Sequence, residues 1–275
     1  MNDTLAGNFA PWRLQLWPPQ TVRVVNWNID RGLRLPQIAD FLESQQADLL
    51  TLQEADLNAK RTRRRNIAEE LARALGMNYV FGYEFQELTQ GSRTSPAYHG
   101  QATLSRWGFK TSRIIRFQAQ SNFWRPRWFL PHTQPFQERL GGRIALVTEV
   151  DVMGLTMVVY NLHLESRGDD NLRVAQMGEV LGDLASYKSR LPALVAGDLN
   201  CDISEGQTSA LIEQAGVRNI FGQSRSRTTP GGLLGNGRSI DWALMSGPVE
   251  STSAQVHSNV SASDHYPLSF TLRFS

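Results

Sequence analysis

LTMVVYNLHLES, residues 155–166, is an alternating apolar run that ends in polar residues. Successive side chains of a strand point to opposite faces, so Met157, Val159, Asn161 and His163 share one face. The run therefore predicts a strand whose buried face ends in an amide and an imidazole. A polar group on a buried face must be paired or must bind something, so His163 is either a functional group or a paired core residue.

Similar runs lie on both sides of this segment, and helical periodicity is confined to three places. No helical pattern interrupts residues 78–162, which argues against a regular alternation of strands and helices. We expect an α/β fold of two sheets packed face to face, with helices outside. The predicted strands are 21–29, 48–54, 78–85, 100–106, 143–150, 155–162, 192–199, 239–245 and 267–274, and the predicted helices are 36–45, 66–75 and 171–188.

The composition is that of a soluble globular protein. The chain has 275 residues, of which 41% are hydrophobic and 20% charged, and its single cysteine excludes an internal disulfide. Residues 1–20 lack the apolar run of a signal peptide, and no stretch approaches the roughly 18 apolar residues of a membrane span. We expect a monomeric, cytoplasmic protein with an N-terminal extension, 1–20, and one catalytic domain, 21–275.

Other predicted strands repeat the pattern of an apolar face that ends in polar groups. Counting every second residue gives the side chains that share a face of each strand. These sets are Val22, Val24, Asn26, Asn28 and Asp30; Leu50, Leu52 and Glu54; Leu194, Ala196, Asp198 and Asn200; and Asp241, Ala243 and Met245. Four or five such strand ends predict a site at the open edge of the sandwich. Its carboxylate and amide oxygens suit a hard cation, Mg²⁺ or Mn²⁺, since no HExxH or CxxC motif occurs. Such a cation beside histidines and arginines indicates a phosphoester substrate.

Six motifs in order along the chain resemble those of the endonuclease/exonuclease/phosphatase superfamily. Members of this superfamily are metal-dependent phosphodiesterases and phosphatases with a DNase I-like four-layer α/β sandwich, which becomes the expected fold. The motifs span nearly the whole chain, and their order makes the resemblance specific although each one alone is weak. They are NWNID (26–30), LQE (52–54), NLHLES (161–166), AGDLN (196–200), SIDWAL (239–244) and SDHYP (263–267).

The resemblance implies a role for each matched residue. Glu54 becomes the main metal ligand, with Asp30 and Asp264 around the ion and Asn28 beside it as a substrate-binding residue. Asp198 orients or deprotonates the attacking water, and Asn200 contacts the phosphate. Asp241 and His265 form a carboxylate–imidazole pair that faces the phosphate. The resemblance also makes His163 a catalytic residue, which stabilises the phosphate or protonates the leaving group.

His163 also limits which branches of the superfamily the chain resembles. The N-x-H-L pattern resembles pancreatic-type deoxyribonucleases, sphingomyelinases and inositol polyphosphate 5-phosphatases, and HLES is most similar to 5′-tyrosyl-DNA phosphodiesterases. That similarity adds Ser166 as a substrate-binding candidate. DNA is the preferred substrate, a phospholipid is second, and inositol or other small phosphates are third. A non-catalytic nucleic-acid-binding protein that retains the fold is the alternative from a different class.

Two arginine-containing segments bear on the substrate. Only three of the 28 basic residues are lysines, and arginine has a planar fork that matches phosphate, although a GC-rich genome would give the same bias. KRTRRR (60–65) follows Glu54 closely, and Arg63, Arg64 and Arg65 are predicted to bind substrate phosphates; a solvated surface is the alternative. The aromatic insertion 118–136, with Arg125 and Arg127 between Trp124 and Trp128, is either an ordinary loop or a substrate-facing element. His99, His132 and His257 receive no role.

Overall fold

Each alternating run of the sequence forms a β-strand in the computed structural model, and the strands assemble into two mixed sheets. Five further strands and one further helix were not predicted, because they are short or lack a clear periodicity. The structure describes residues 4–12, 17–121, 123, 125–127, 129, 138–187, 191–222, 224, 226–231 and 236–274.

The first sheet has eight strands. In space their order is β1-β4-β5-β3-β2-β14-β13, and β7 pairs with β4. Only β2 and β3 are parallel neighbours among the described pairs, and a helix connects them. The strands are β1 (Thr4–Gly7), β2 (Thr21–Arg31), β3 (Leu49–Leu57), β4 (Asn78–Glu87), β5 (Ala97–Ser105), β7 (Arg139–Gly141), β13 (Val249–Val256) and β14 (Leu268–Phe274).

The second sheet has six strands in the order β11-β12-β10-β9-β8-β6. Its one described parallel pair, β9 and β10, is again connected by a helix, since parallel neighbours need a crossover. The strands are β6 (Phe109–Arg116), β8 (Ile144–Val152), β9 (Leu155–His163), β10 (Ala193–Asp198), β11 (Arg218–Asn219) and β12 (Asp241–Ser246).

Four α-helices are described, and three of them were predicted. The side chain of Asn66 caps the second helix by accepting a hydrogen bond from Glu69 N, and Asp169 caps the third in the same way. None of the described helices has the length and hydropathy that a membrane span requires. The helices are α1 (Leu35–Gln45), α2 (Ile67–Leu75), α3 (Asp170–Ala185) and α4 (Gly206–Gln214).

Three apolar clusters hold the layers together. One lies between α1, α2 and the first sheet, one between the two sheets, and one between the second sheet and α3, α4. The order is therefore helices, sheet, sheet, helices, and the predicted four-layer α/β sandwich is confirmed. Both crossover helices lie on the outer faces, so the polar strand ends of the two sheets meet at one open edge.

The N-terminal segment is part of the fold rather than a separate extension. Thr4–Gly7 pairs antiparallel with β4, and the ring of Phe9 stacks on Tyr79 at 6.1 Å between centroids. Residues 4–7, which we predicted to lie in an N-terminal extension, thus pair with the first sheet. A four-residue edge strand has too few residues for a recognisable alternation in the sequence.

The parity assignment for β3 is also wrong. Leu50 and Leu52 pack against α1 and α2, whereas Leu49 faces the other sheet. By simple alternation Glu54 would join Leu50 and Leu52 on the helix side. A β-bulge changes this, because the pairing register shifts between Leu52 and Ala55 and Glu54 adopts a left-handed conformation with φ of 57°.

A buried amide cluster joins the two sheets just below the open edge. Asn161 Nδ2 in β9 donates to the carbonyls of Leu52 (3.1 Å) and Ala102 (2.9 Å) in the first sheet. Its Oδ1 accepts a 2.7 Å bond from Gln53 Nε2, which also donates to Asn26. All these groups are buried, so each bond satisfies an atom that water cannot reach.

Replacing Asn161 with alanine should destabilise the fold. The change leaves the Gln53 amide without one acceptor and removes two inter-sheet bonds, and a buried unsatisfied group costs about 1–3 kcal/mol. We expect the free energy of unfolding in urea to fall by about 2 kcal/mol. The exposed Asn171→Ala is the control and should change it by less than about 0.5 kcal/mol. Equal effects of the two substitutions would contradict the role assigned to Asn161.

Candidate active site

The polar strand ends converge at the seam between the two sheets. In the second sheet Asp198 is the direct cross-strand partner of both His163 and Asp241, so three neighbouring strands present adjacent functional groups. The first sheet contributes Asn28 and Glu54, and the segment before β14 contributes Asp264 and His265. The structure therefore brings these predicted residues together at one edge of the sandwich.

Asp198 lies at the centre of the group and is only 2% exposed. Its Oδ2 is 3.6 Å from His163 Nε2 and 3.7 Å from His265 Nε2, and it accepts a 3.2 Å bond from Asn28 Nδ2. Burial, with a contribution from the negative charge of Asp241, raises the pKa of Asp198 to about 7. A carboxylate with this pKa can accept a proton near neutral pH.

His265 is fixed by a carboxylate and by its backbone. Its Nδ1 donates to Asp241 at 2.8 Å, and its carbonyl accepts a 2.8 Å bond from Trp27 Nε1. Burial alone lowers the pKa of His265, but Asp241 and Asp198 outweigh that effect and raise it to about 10. The imidazole is therefore positively charged at neutral pH, and the predicted Asp241–His265 pair is present.

His163 has the opposite electrostatic character. Burial lowers the pKa of His163 well below its usual range, and the positive charge of Arg143 adds to the effect. Its Nδ1 lies 3.8 Å from Glu84 Oε2, and neither atom has a hydrogen-bond partner among the described residues. The two imidazoles beside Asp198 are thus one neutral and one charged.

Glu54 belongs to a carboxylate cluster next to this centre. Its side chain is 20% exposed, its Oε1 lies 3.4 Å from Asn28 Nδ2, and its Oε2 lies 3.8 Å from Arg31 Nη1. Burial alone would raise the pKa of Glu54, but His99 and Arg31 hold it well below its usual range. Glu54 is consequently ionised at neutral pH.

Asp30 and Asp264 complete the carboxylate cluster. Burial raises the pKa of Asp30, and the negative charges of Asp264 and Glu54 raise it further, although Arg31, which donates to Asp30, opposes them. Three carboxylates that repel one another suit a divalent cation, which would relieve the repulsion. The oxygen donors are of the kind that binds Mg²⁺ or Mn²⁺, although among the described residues these three carboxylates do not form a group whose ligand atoms all lie within 4.8 Å of one another.

A second group has metal-ligand spacing. One atom each of Asp198, Asp241 and His265 lie within 4.8 Å of one another. The positive charge on His265 opposes a cation there, since a protonated imidazole has no free lone pair. The Glu54 cluster, by contrast, consists of oxygen donors alone, and Glu54 is ionised.

Asn200 and Ser166 lie around the same centre. Asn200 N donates to Asp198 Oδ1 at 3.0 Å, and its Nδ2 donates to the Leu164 carbonyl at 3.1 Å, which ties the end of β10 to the segment after β9. Ser166 is exposed, and its Oγ accepts a 3.2 Å bond from Arg143 Nη2. Asn200 is thus held by protein contacts, while Ser166 lies open to a ligand.

The predicted phosphate-binding arginines lie outside this centre. Arg63 and Arg64 are exposed, and Arg65 Nη1 is 3.7 Å from Glu70. The basic run 60–65 does not supply the N-terminal cap of α2, because the side chain of Asn66 caps that helix. Trp124 and Trp128 of the aromatic insertion lie outside the described residues.

Three buried residues near the site received no role from the sequence: Glu84, Arg143 and His99. Glu84 in β4 accepts a 2.6 Å bond from Arg143 Nη1, and burial raises the pKa of Glu84. His99 in β5 lies 3.1 Å from Asp56 and contributes to the low pKa of Glu54. Charged residues inside predicted strands were the available signal, but no motif surrounds them.

The sandwich resembles several solved structures. The human Nocturnin catalytic domain with bound sulfate is 19% identical, with a TM-score of 0.67 over 99% of this chain and 97% of that one. An endonuclease/exonuclease/phosphatase from Beutenbergia cavernae DSM 12333 is 19% identical, with a TM-score of 0.64 over 94% and 72% of the two chains. A humanized D. rerio TDP2 is 18% identical, with a TM-score of 0.61 over 93% and 100%. The TM-scores show a common fold.

No curated protein matches the chain in sequence. A family model does: that of the Endonuclease/Exonuclease/phosphatase family matches residues 25–265, from β2 to His265. Because this match covers most of the chain and includes all the strand ends that converge at the seam, the chain belongs to the Endonuclease/Exonuclease/phosphatase family.

Proposed function

We propose that this protein is a divalent-metal-dependent phosphodiester hydrolase that acts on DNA. The observation that carries the proposal is the position of Asp198, a buried carboxylate with an imidazole on either side at 3.6 and 3.7 Å. The Glu54 cluster adjoins it, since the Asn28 amide contacts both Glu54 and Asp198. A proton acceptor and a cation-binding cluster next to each other are what hydrolysis of a phosphodiester requires.

Glu54, Asp30 and Asp264 are the proposed metal ligands, with Mg²⁺ as the proposed ion and Mn²⁺ as the alternative. When bound, the cation neutralises charge on the phosphoryl oxygens. Asn28 holds the Glu54 cluster in position relative to Asp198, because its Nδ2 contacts a carboxylate oxygen of Glu54 and one of Asp198.

Asp198 accepts the proton of the attacking water in this proposal. A general base works best when its pKa is close to the working pH, and the pKa of Asp198 is raised to about 7. His265, held positive by Asp241, stabilises the negative charge of the phosphate. His163 is neutral, so it supplies a hydrogen bond to the phosphate rather than a full charge.

DNA is the proposed substrate on account of the cations at the open edge. Arg63 and Arg64 are exposed there, and the sequence has far more arginine than lysine. Ser166, exposed next to Arg143, and Asn200, next to Asp198, are the proposed contacts to the phosphate.

Asp198→Asn should abolish most of the activity. The substitution keeps the shape of the side chain and removes the proton acceptor, a contribution worth about 10²–10⁴-fold. We expect kcat for bis-p-nitrophenyl phosphate with Mg²⁺ to fall at least about 100-fold, with an unchanged circular dichroism spectrum, and chelation to abolish the wild-type activity. Asp40→Asn, an exposed change on α1, is the matched control and should retain full activity. An Asp198→Asn enzyme that retains wild-type kcat would refute this role.

A substrate panel tests the choice of DNA. The purified protein is assayed with Mg²⁺ on single-stranded, double-stranded and 5′-blocked DNA, sphingomyelin vesicles and inositol phosphates. We expect hydrolysis of DNA, because an extended chain of phosphates can contact both the Glu54 cluster and the exposed arginines. Cleavage of the lipid or the inositol phosphates alone would reject DNA as the substrate. Binding of DNA without turnover on any substrate, with either metal, would favour a non-catalytic binding protein.

A further inference from the structure

Residues 60–65, the arginine turn, leave the first sheet directly after the strand that carries Glu54. Leu57 at the end of β3 forms a β-bridge with Asn66, so the chain leaves and re-enters the fold at one point. Asn58 N donates to the Arg65 carbonyl at 2.9 Å and closes the base of the turn. Glu54 precedes Leu57 by three residues, which is roughly 10 Å of strand. The turn therefore projects from the same edge as the candidate active site.

A buried ion network anchors the turn from below. Arg61 Nε and Nη2 donate to the two carboxylate oxygens of Asp56 at 2.7 and 2.8 Å, and Nη2 also donates to Glu87 at 3.0 Å. Asp56 and Glu87 are buried in β3 and β4. Gln90 accepts bonds from Lys60 N at 3.0 Å and from Arg61 N at 3.1 Å. One arginine of the run is thus structural, and it fixes the positions of the others.

The backbone of the turn is held in a conformation that side chains disfavour. Arg63 and Arg64 both have φ of 57°, in the left-handed region, where most residues other than glycine are rare. Two consecutive arginines in this region are retained only when the surroundings impose the conformation. The ion network and the closing bond impose it here, and both arginines are exposed to solvent.

The charge of these side chains is not compensated by the protein. The acidic residues nearest in sequence, Glu69 and Glu70, are paired with Arg73 (2.8 Å) and Arg65 (3.7 Å). Within the part of the chain that the structure describes, Lys60, Arg63 and Arg64 make no ion pair, and all three are exposed. Three unpaired cations on a rigid support next to a site for a phosphodiester suit an extended polyanion.

We infer that the arginine turn binds the phosphate backbone of a nucleic-acid strand, a few nucleotides away from the bond that is cleaved. This inference rests on the proposed function, since it takes the strand to run from the Glu54 cluster over the turn. Arginines that contact phosphates position the substrate and carry no sequence information, so the turn acts equally on all sequences.

The test is the salt dependence of binding of the double substitution Arg63→Gln and Arg64→Gln. Binding of a fluorescent oligodeoxythymidylate of about 20 nucleotides is measured by anisotropy in EDTA between about 50 and 200 mM NaCl, so no turnover is needed. Each phosphate contact with a single strand contributes about 0.7 to the slope of log K against log salt concentration. We expect the magnitude of the slope to fall by about 1.4 for the double substitution and by about 0.7 for either single one.

The matched control removes the same charge from the opposite edge of the first sheet. Arg23 and Arg273 lie at the far end of β2 and β14, where Thr21 pairs with Arg273, and both side chains are more than half exposed. The double substitution Arg23→Gln and Arg273→Gln has the same net charge and should leave the slope unchanged. Thermal unfolding of all variants checks that each is folded.

Three results would overturn the inference. The first is an unchanged slope for Arg63→Gln with Arg64→Gln, and the second is an equal decrease for the control pair, which would indicate a general charge effect. The third is loss of binding to phosphatidylserine vesicles with no change for the oligonucleotide, which would assign the turn to a lipid surface. Because binding is measured without hydrolysis, a protein that binds through the turn but fails to cleave DNA would contradict the proposed function alone.

Discussion

The burial of the Asp198 carboxylate at the seam between the two sheets is the constraint on which the site depends. A buried carboxylate must be paired, and here its partners come from both sheets: Asn28 from the first, and His163 with His265 around it. Asn161 and Gln53 form the next layer below and fix the distance between the sheets. The same contacts that fix the position of one sheet relative to the other therefore also fix the arrangement of the functional groups.

The groups around Asp198 have different charge states, so each group is suited to a different part of the reaction. Glu54 is ionised, His265 is positively charged, His163 is neutral, and the pKa of Asp198 lies near 7. Negative charge is concentrated on the Glu54 side, where it suits a cation, and the positive imidazole lies on the other side, where it suits a phosphate. With a cation bound on the Glu54 side, a substrate phosphate between them would meet positive charge on each side.

The sequence predicted the four layers and the converging strand ends, because alternation and strand ends are local features. It misplaced Leu50 and Leu52, since the bulge that turns Glu54 away from their face depends on pairing with neighbouring strands. Glu84 and His99 received no role from the sequence, because their partners, Arg143 and Asp56, are distant in sequence. The sequence KRTRRR does not by itself distinguish Arg61, which forms ion pairs with the buried Asp56 and Glu87, from the exposed Arg63 and Arg64. Helix α4 is as long as the predicted α2, nine residues each, but it lacks a clear apolar period.

The central claim is that the metal binds at the Glu54 cluster while Asp198, Asp241 and His265 stay free for the chemistry. Crystals soaked in Mn²⁺ test it directly, because anomalous scattering locates the ion without reference to activity. We predict a peak bounded by the carboxylates of Glu54, Asp30 and Asp264. A peak within the group formed by Asp198, Asp241 and His265, without one at Glu54, would contradict the account.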